Sequence, residues 1–235
     1  MMEAVQPTSG RLDDEAPVVE VDDPLSDARA LQILATEHWG LLAARSMSWN
    51  EAFSRASMFL STVSGAVVAL ALVGQGTNFG PGFVTFALVL LPVVLFVGAA
   101  TLARLTQVNN DDGRMIQGMN RIRHAYVTMV PGVEPYLSLP HFDDPASIAR
   151  VYALPGNFNP VVQGLVTTPA IVATVTAVVA GALAAIVVAQ VTSVGVVVVA
   201  GGIGGFIASF VAMAMYGRRA VMRSIAQVEV RFPPT

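Results

Sequence analysis

The sequence predicts an all-α membrane protein with four transmembrane helices arranged as two hairpins, the first hairpin carrying amphipathic cytoplasmic helical extensions. Three observations predict it. Of 235 residues only 12% are charged and 54% are hydrophobic, with a mean hydropathy of +0.63, which is membrane-protein composition. No Asp, Glu, Lys, Arg or His occurs between Arg55 and Arg104 or between Arg150 and Arg218, and each gap has room for two crossings of about 20 residues. Each gap is also interrupted once by a turn-forming stretch, residues 76–80 in the first and 191–193 in the second.

Residues 1–24 are acidic, proline-containing and aperiodic, the composition of a disordered tail that cannot bury enough surface to fold. Residues 1–27 hold eight acids and one Arg, the reverse of a targeting segment, so the first span is expected to act as its own signal. From 25 to 56 the pattern is helical. Leu31, Leu34, Leu41, Leu42, Trp49, Ala52 and Phe53 recur at three- and four-residue steps, with Ser26 or Asp27 as a cap. Glu51 and Arg55 stand four apart with the acid first, the favourable order for a helix-surface ion pair.

The first membrane hairpin, 57–103, is read as spans at about 57–75 and 81–103, with Pro81 at the first helical position and Pro92 expected to kink the second span. A cytoplasmic helix follows over 104–130. Its stripe of Leu105, Val108, Met115, Ile116, Met119, Ile122, Tyr126 and Met129 leaves Arg114, Arg121 and Thr128 outside. At 1.5 Å per residue the two cytoplasmic helices would run about 48 and 40 Å, suited to an antiparallel stalk, and their stripes need each other or a second subunit for cover.

Residues 131–168 form a Pro-rich cytoplasmic loop. Only the stretch from Asp144 to Leu154 looks helical, with Asp144 as cap and Pro145 at its first position. Tyr136, Phe142, Tyr152 and Phe158 are expected at the membrane interface, where aromatics are favoured. The second hairpin, 169–216, is read as spans at about 169–190 and 194–216, with Thr168 as N-cap and Pro169 at the first position. Residues 217–235 are a cytoplasmic tail. All 13 basic residues are Arg, and none lies in either short turn, so N-terminus, central loop and C-terminus are all expected inside a cytoplasmic (inner) membrane.

The run VVVVAGGIGG (196–205) resembles a strand entering a phosphate loop, and it fails that test. Gly202 and Gly204 fit the first two glycines of a dinucleotide fingerprint, but Ile207 stands at the third, Glu229 is too distant for the ribose acid, and the chain has no lysine for a P-loop. Read as helix, Ala200, Gly204, Ala208 and Ala212 form one line of small residues and Gly201, Gly205 and Ser209 an adjacent one. The preceding span answers with Ala173, Ala177, Gly181, Ala185 and Ala189. This is a small-xxx-small packing seam, within or between chains.

Ser54, Ser57, Ser61 and Ser64 place four hydroxyls on one face of the first span, a pore or interface face in one reading and back-bonded helix hydroxyls in the other. Arg55, Arg104, Arg218, Arg219 and Arg223 lie near cytoplasmic span ends as lipid anchors. The spans contain no Asp, Glu, Lys, Arg or His, which argues against proton-coupled carriers and pumps. No cysteine is present, and Glu37, His38, His124, His141, Asp143 and Asp144 show no zinc-site spacing. No catalytic residue, metal site or cofactor is assigned. The expected partners are the bilayer, further copies of the chain and a cytoplasmic protein, and not nucleic acid.

Two runs, TEHWGLLAARSMSWNEAFSRASMFLSTVSGAVVALALV (36–73) and GMNRIRHAYVTMVPGVEPY (118–136), resemble an uncharacterised family of small multi-span membrane proteins of high-GC Gram-positive bacteria, over residues 30–216. That resemblance implies a compartment and no activity. In layout the chain is also similar to four-span pore-forming effectors of bacterial nucleotide-signalled defence systems. The expectation is a non-enzymatic, self-associating scaffold or regulator, with an oligomeric passive pore as the alternative.

Overall fold

The computed structural model describes residue 25, residues 28–152 and residues 166–234. The expected acidic tail, the Ser26 and Asp27 caps, Leu154 and Phe158 lie outside the described residues. Among the described residues every regular element is helical. In order they are α1 (Ala28–Gly76), α2 (Pro81–Met129), a 3-10 turn (Pro131–Tyr136), α3 (Pro145–Tyr152), α4 (Thr168–Ala189) and α5 (Gly195–Ala226).

Helices α1, α2, α4 and α5 are long and apolar enough to cross a membrane. The 49 residues of α1 and of α2 give about 73 Å of helix each, against a hydrocarbon core of about 30 Å. Each therefore carries an apolar half and a polar half on one rod, with no break between them.

The α1–α2 turn is held by an unusual backbone. Asn78 and Phe79 have φ of 49° and 55°, the left-handed region that Asn tolerates and Phe rarely adopts. Phe79 N–H donates to the Gly74 carbonyl at 2.8 Å, and its ring lies where a Cβ on Gly74 would be, 2.6 Å away. The ring also meets Phe83 edge-on at 5.2 Å. Gly74 is thus the residue that lets the turn close over the helix end.

From that turn the two helices run back along each other, meeting in succession at Phe59 and Gly98, Glu51 and Arg104, and Arg45 and Asp112. Helix α2 continues unbroken through Pro92. Helix α4 packs on α2, and α5 packs chiefly on α4, so α2 and α4 hold the middle and α1 and α5 the flanks. The burial pattern follows. Ala87, Leu91, Val94 and Leu102 of α2 and Val172, Ala177 and Val179 of α4 are buried, whereas α5 buries no residue. At the meeting point of α1, α2 and α4 a Cβ on Gly98 would strike Thr176 and Phe59, and the buried Thr176 hydroxyl donates one turn back to the Val172 carbonyl at 2.7 Å.

Two local expectations change. The α4 N-cap is Thr167, whose side chain accepts from the Ala170 N–H; Thr168 is already helical, which puts Pro169 one position further in. The apolar residues of the polar half of α1 divide between two faces. Leu34, Leu41 and Trp49 are half-buried and Ala52 is buried, but Leu31, Leu42 and Phe53 point outward.

Candidate functional site at the polar ends of the helices

Beyond the apolar halves, three acids organise the contacts between elements distant in sequence. Asp112 of α2 is fully buried. Arg45 Nε donates to its Oδ1 at 2.7 Å and Nη2 to Oδ2 at 3.4 Å, Trp49 Nε1 donates to Oδ1 at 3.1 Å, and the Tyr152 hydroxyl donates to Oδ2 at 2.5 Å. One carboxylate therefore ties α1, α2 and α3 together, and four donors from three side chains replace the water it has lost. Burial, and then the hydrogen bond to Asp112, push the Tyr152 hydroxyl well above its ordinary range.

Glu51 is shared between two arginines. Arg55 Nε reaches Oε1 at 2.9 Å, and Arg104 reaches both oxygens, Nε to Oε1 at 3.1 Å and Nη2 to Oε2 at 2.9 Å. Arg104 foremost, then Arg55, hold its carboxyl down at about 2. The pair sits on a half-exposed surface, so it sets register between α1 and α2 more than it adds stability.

Asp143 is also fully buried, and it clamps the segment that follows α5. Its carboxylate takes Arg121 Nε at 2.7 Å and the backbone N–H groups of Arg231 and Phe232 at 3.1 and 2.9 Å, while its own N–H donates to the Phe232 carbonyl at 3.4 Å. On the other side of that segment the Glu229 carbonyl accepts from Arg121 Nη2 at 2.5 Å and from Gln117 Nε2 at 3.0 Å. The extended chain is thus read by backbone bonds, in the manner of a peptide in a groove. Burial raises the Asp143 carboxyl, but Arg121 and the two backbone donors outweigh it and hold it below the ordinary carboxylate range. The neighbouring Asp144 has a different task, capping α3 with its Oδ2 on the Ala146 and Ser147 N–H groups.

Phe232 stacks on His124 with centroids 4.4 Å apart, and His141 lies 5.8 Å from His124 and 4.1 Å from Phe142. Two of the three scattered histidines therefore meet under the clamped segment. His38 does not join them and lies beside Tyr126 instead, ring centres 6.5 Å apart. The Nδ1 atoms of His38 and His124 are buried without a hydrogen-bond partner. Burial, then His141, push His124 below its ordinary value, with Asp143 opposing; burial, then Arg123, lower His38. Among the described residues no group of three His, Cys, Asp or Glu is placed to hold a metal ion.

The aromatics expected at the membrane interface divide. Tyr136 is 82% exposed, but Tyr152 turns in to Asp112 and Phe142 packs in the histidine cluster. A buried carboxylate and an imidazole are stronger attractions for these side chains than the interface.

Of the small residues, Gly201, Gly202 and Gly205 face α4. A Cβ on Gly205 would lie 2.5 Å from the Ala184 Cβ, and one on Gly181 would lie 2.8 Å from the Gly202 carbonyl oxygen. Ala173 and Ala177 are buried, Ala185 touches the Gly202 position, Ser209 is half-buried, and Ala189 is exposed. The second line, Ala200, Gly204, Ala208 and Ala212, is exposed on the other side of α5, and a Cβ on Gly204 would meet nothing within 4 Å. Ser54, Ser57, Ser61 and Ser64 are all exposed on α1, away from α2, with Ser64 donating one turn back to the Leu60 carbonyl at 2.9 Å. Arg55 and Arg104 are engaged by Glu51, while Arg218, Arg219 and Arg223 make no ion pair among the described residues.

Neither family models, curated proteins nor solved structures give a match to this chain.

Proposed function

We propose that this chain is a non-enzymatic, self-associating scaffold or regulator of a bacterial cytoplasmic membrane, with both termini and the polar ends of α1 and α2 inside. Copies associate along the outer face of α1 and present the clamped polar end to a cytoplasmic protein. One observation carries the reading: that outer face carries large apolar side chains where it meets water and a row of hydroxyls where it meets lipid. In the polar half Leu31, Trp39, Leu42 and Phe53 are exposed, Trp39 by 70%, where water penalises them. In the apolar half the hydroxyls of Ser57, Ser61 and Ser64 are exposed on the continuation of that face, beside Leu60 and Val67, and they gain nothing from lipid tails but pack and hydrogen-bond well against another helix.

A second helix laid along this face suits both halves. Each large apolar side chain covered is worth about 2 kcal/mol, and the serines permit close backbone approach. The loop charge pattern supports the inside placement, since all arginines lie outside the two short turns.

The alternative, a passive pore, draws on the same four outward hydroxyls, which a ring of copies would turn toward a common axis. Native mass spectrometry of the protein in nanodiscs separates the readings. A dimer that Trp39→Ser and Ser57→Leu shift to monomer supports the scaffold; a larger ring with ion flux in proteoliposomes supports the pore. A wild-type protein that is strictly monomeric sinks both.

A further inference from the structure

A crevice of about 480 Å³ opens between α2, the start of α4 and the end of α5. Its origin is the glycine seam. Helices α4 and α5 are drawn together near Gly181 and Gly205, and at Ala170, 11 residues or about 16 Å from Gly181, the small side chains Ala170, Ala214 and Gly217 leave the space between them unfilled. Leu102, Ala173, Phe210 and Met213 make its inner wall apolar, while Thr106, Asn109 and Arg218 stand at its outer end. Arg218 is the first charge after the long uncharged stretch that begins beyond Arg150, so the outer end lies at headgroup depth and the inner wall among the acyl chains.

We propose that this crevice binds one anionic phospholipid, its phosphate on the Arg218 guanidinium and an acyl chain along Phe210 and Met213. Three observations select that occupant. No acidic residue lines the crevice. Arg218, Arg219 and Arg223 make no ion pair among the described residues, in contrast to Arg55 and Arg104, which share Glu51. The volume falls within the range of about 300–1,000 Å³ typical of small-molecule pockets, room for a headgroup and part of an acyl chain. A guanidinium offers a phosphate two parallel donors, and the Asn109 amide adds a donor for the glycerol and headgroup oxygens, whereas the Thr106 hydroxyl is already given to the Leu102 carbonyl at 2.9 Å. The site would fasten the α4–α5 pair to α2 at the membrane surface and is independent of whether copies associate.

The test is native mass spectrometry of the full chain titrated with phosphatidylglycerol, with phosphatidylcholine and with inorganic phosphate alone. One phosphatidylglycerol per chain is expected to be retained in preference to phosphatidylcholine. Arg218→Gln should weaken retention about five- to tenfold. Ala214→Trp, which fills the crevice and leaves every arginine in place, should do the same. Arg223→Gln, outside the crevice, should change it less than about twofold. Equal retention of both lipids overturns the proposal, as does an equal effect of Arg218→Gln and Arg223→Gln, which would mean diffuse surface charge. Inorganic phosphate bound through Arg218 and indifferent to Ala214→Trp would make this a phosphate site and overturn it as well.

Discussion

Arg45 and Asp112 are 67 residues apart and meet at 2.7 Å, with the carboxylate wholly inside the protein and the Arg45 side chain 26% exposed. The asymmetry predicts unequal mutants. Asp112→Ala strands Arg45, the Trp49 N–H and the Tyr152 hydroxyl together, and should cost about 2 to 3 kcal/mol, read from unfolding in detergent. Asp112→Asn keeps an acceptor and should cost less. In a Trp39→Phe background Trp49 becomes the sole tryptophan, and its emission should shift to the red in Asp112→Ala.

The segment after α5 stays in place because a buried carboxylate holds its backbone. Asp143→Ala removes the acceptor for the Arg231 and Phe232 N–H groups at once. Hydrogen exchange at those two amides should accelerate by at least about tenfold, the equivalent of one or two lost charge-assisted bonds, while exchange within α2 changes little. Unaltered protection would mean that the Phe232 ring, and not Asp143, anchors the segment.

The same segment should loosen in mild acid. His124 is held below its ordinary 6.5, so its neutral form is favoured while the segment is docked. That contribution is complete above pH 6.5, and it is lost as pH falls from there toward the lowered docked value. His141 and Asp143 face His124; the carboxylate, itself lowered, stays charged until pH drops beneath the usual carboxylate range. A fluorophore on Val230→Cys, unique because no other cysteine exists, should report release that sets in as pH falls below 6.5. His124→Phe keeps the stacking on Phe232 and should abolish that response.

Two neighbouring glycines should behave in opposite ways. Gly205→Leu forces α4 and α5 apart, since even a Cβ there lies 2.5 Å from Ala184, and should destabilise by about 3 kcal/mol. Gly204→Leu points into open space and should leave the unfolding of a single chain within about 0.5 kcal/mol of wild type. Any change in association by Gly204→Leu would assign the outer line of small residues to a contact between copies.

Much of this fold can be read from sequence because lipid allows few solutions. A chain with no charge from 56 to 103 must satisfy its backbone internally, and helices do so. The polar contacts were harder to read. Asp112 occupies the slot between Val108 and Ile116 on an otherwise apolar stripe, and an acid in such a slot signals a buried partner; its identity, Arg45, lies on another helix and follows no spacing rule. Asp143 looks like an ordinary turn residue beside the α3 cap, and nothing local connects it with residues 231 and 232. The outward apolar face of α1 is hidden in the sequence because Leu41 and Leu42 are adjacent, and periodicity alone merges two stripes into one.

Association along α1 is the central claim, and single-cysteine cross-linking in native membranes tests it most directly. Copies inserted with the same topology are related by an axis along the membrane normal, which brings each residue of a shared helix face near its own counterpart. Trp39→Cys and Ser57→Cys should each give disulfide-linked dimers under mild oxidation. Phe96→Cys on α2, 73% exposed, should stay monomeric. Absence of dimers at both α1 positions, or dimers in equal yield at position 96, would contradict the account.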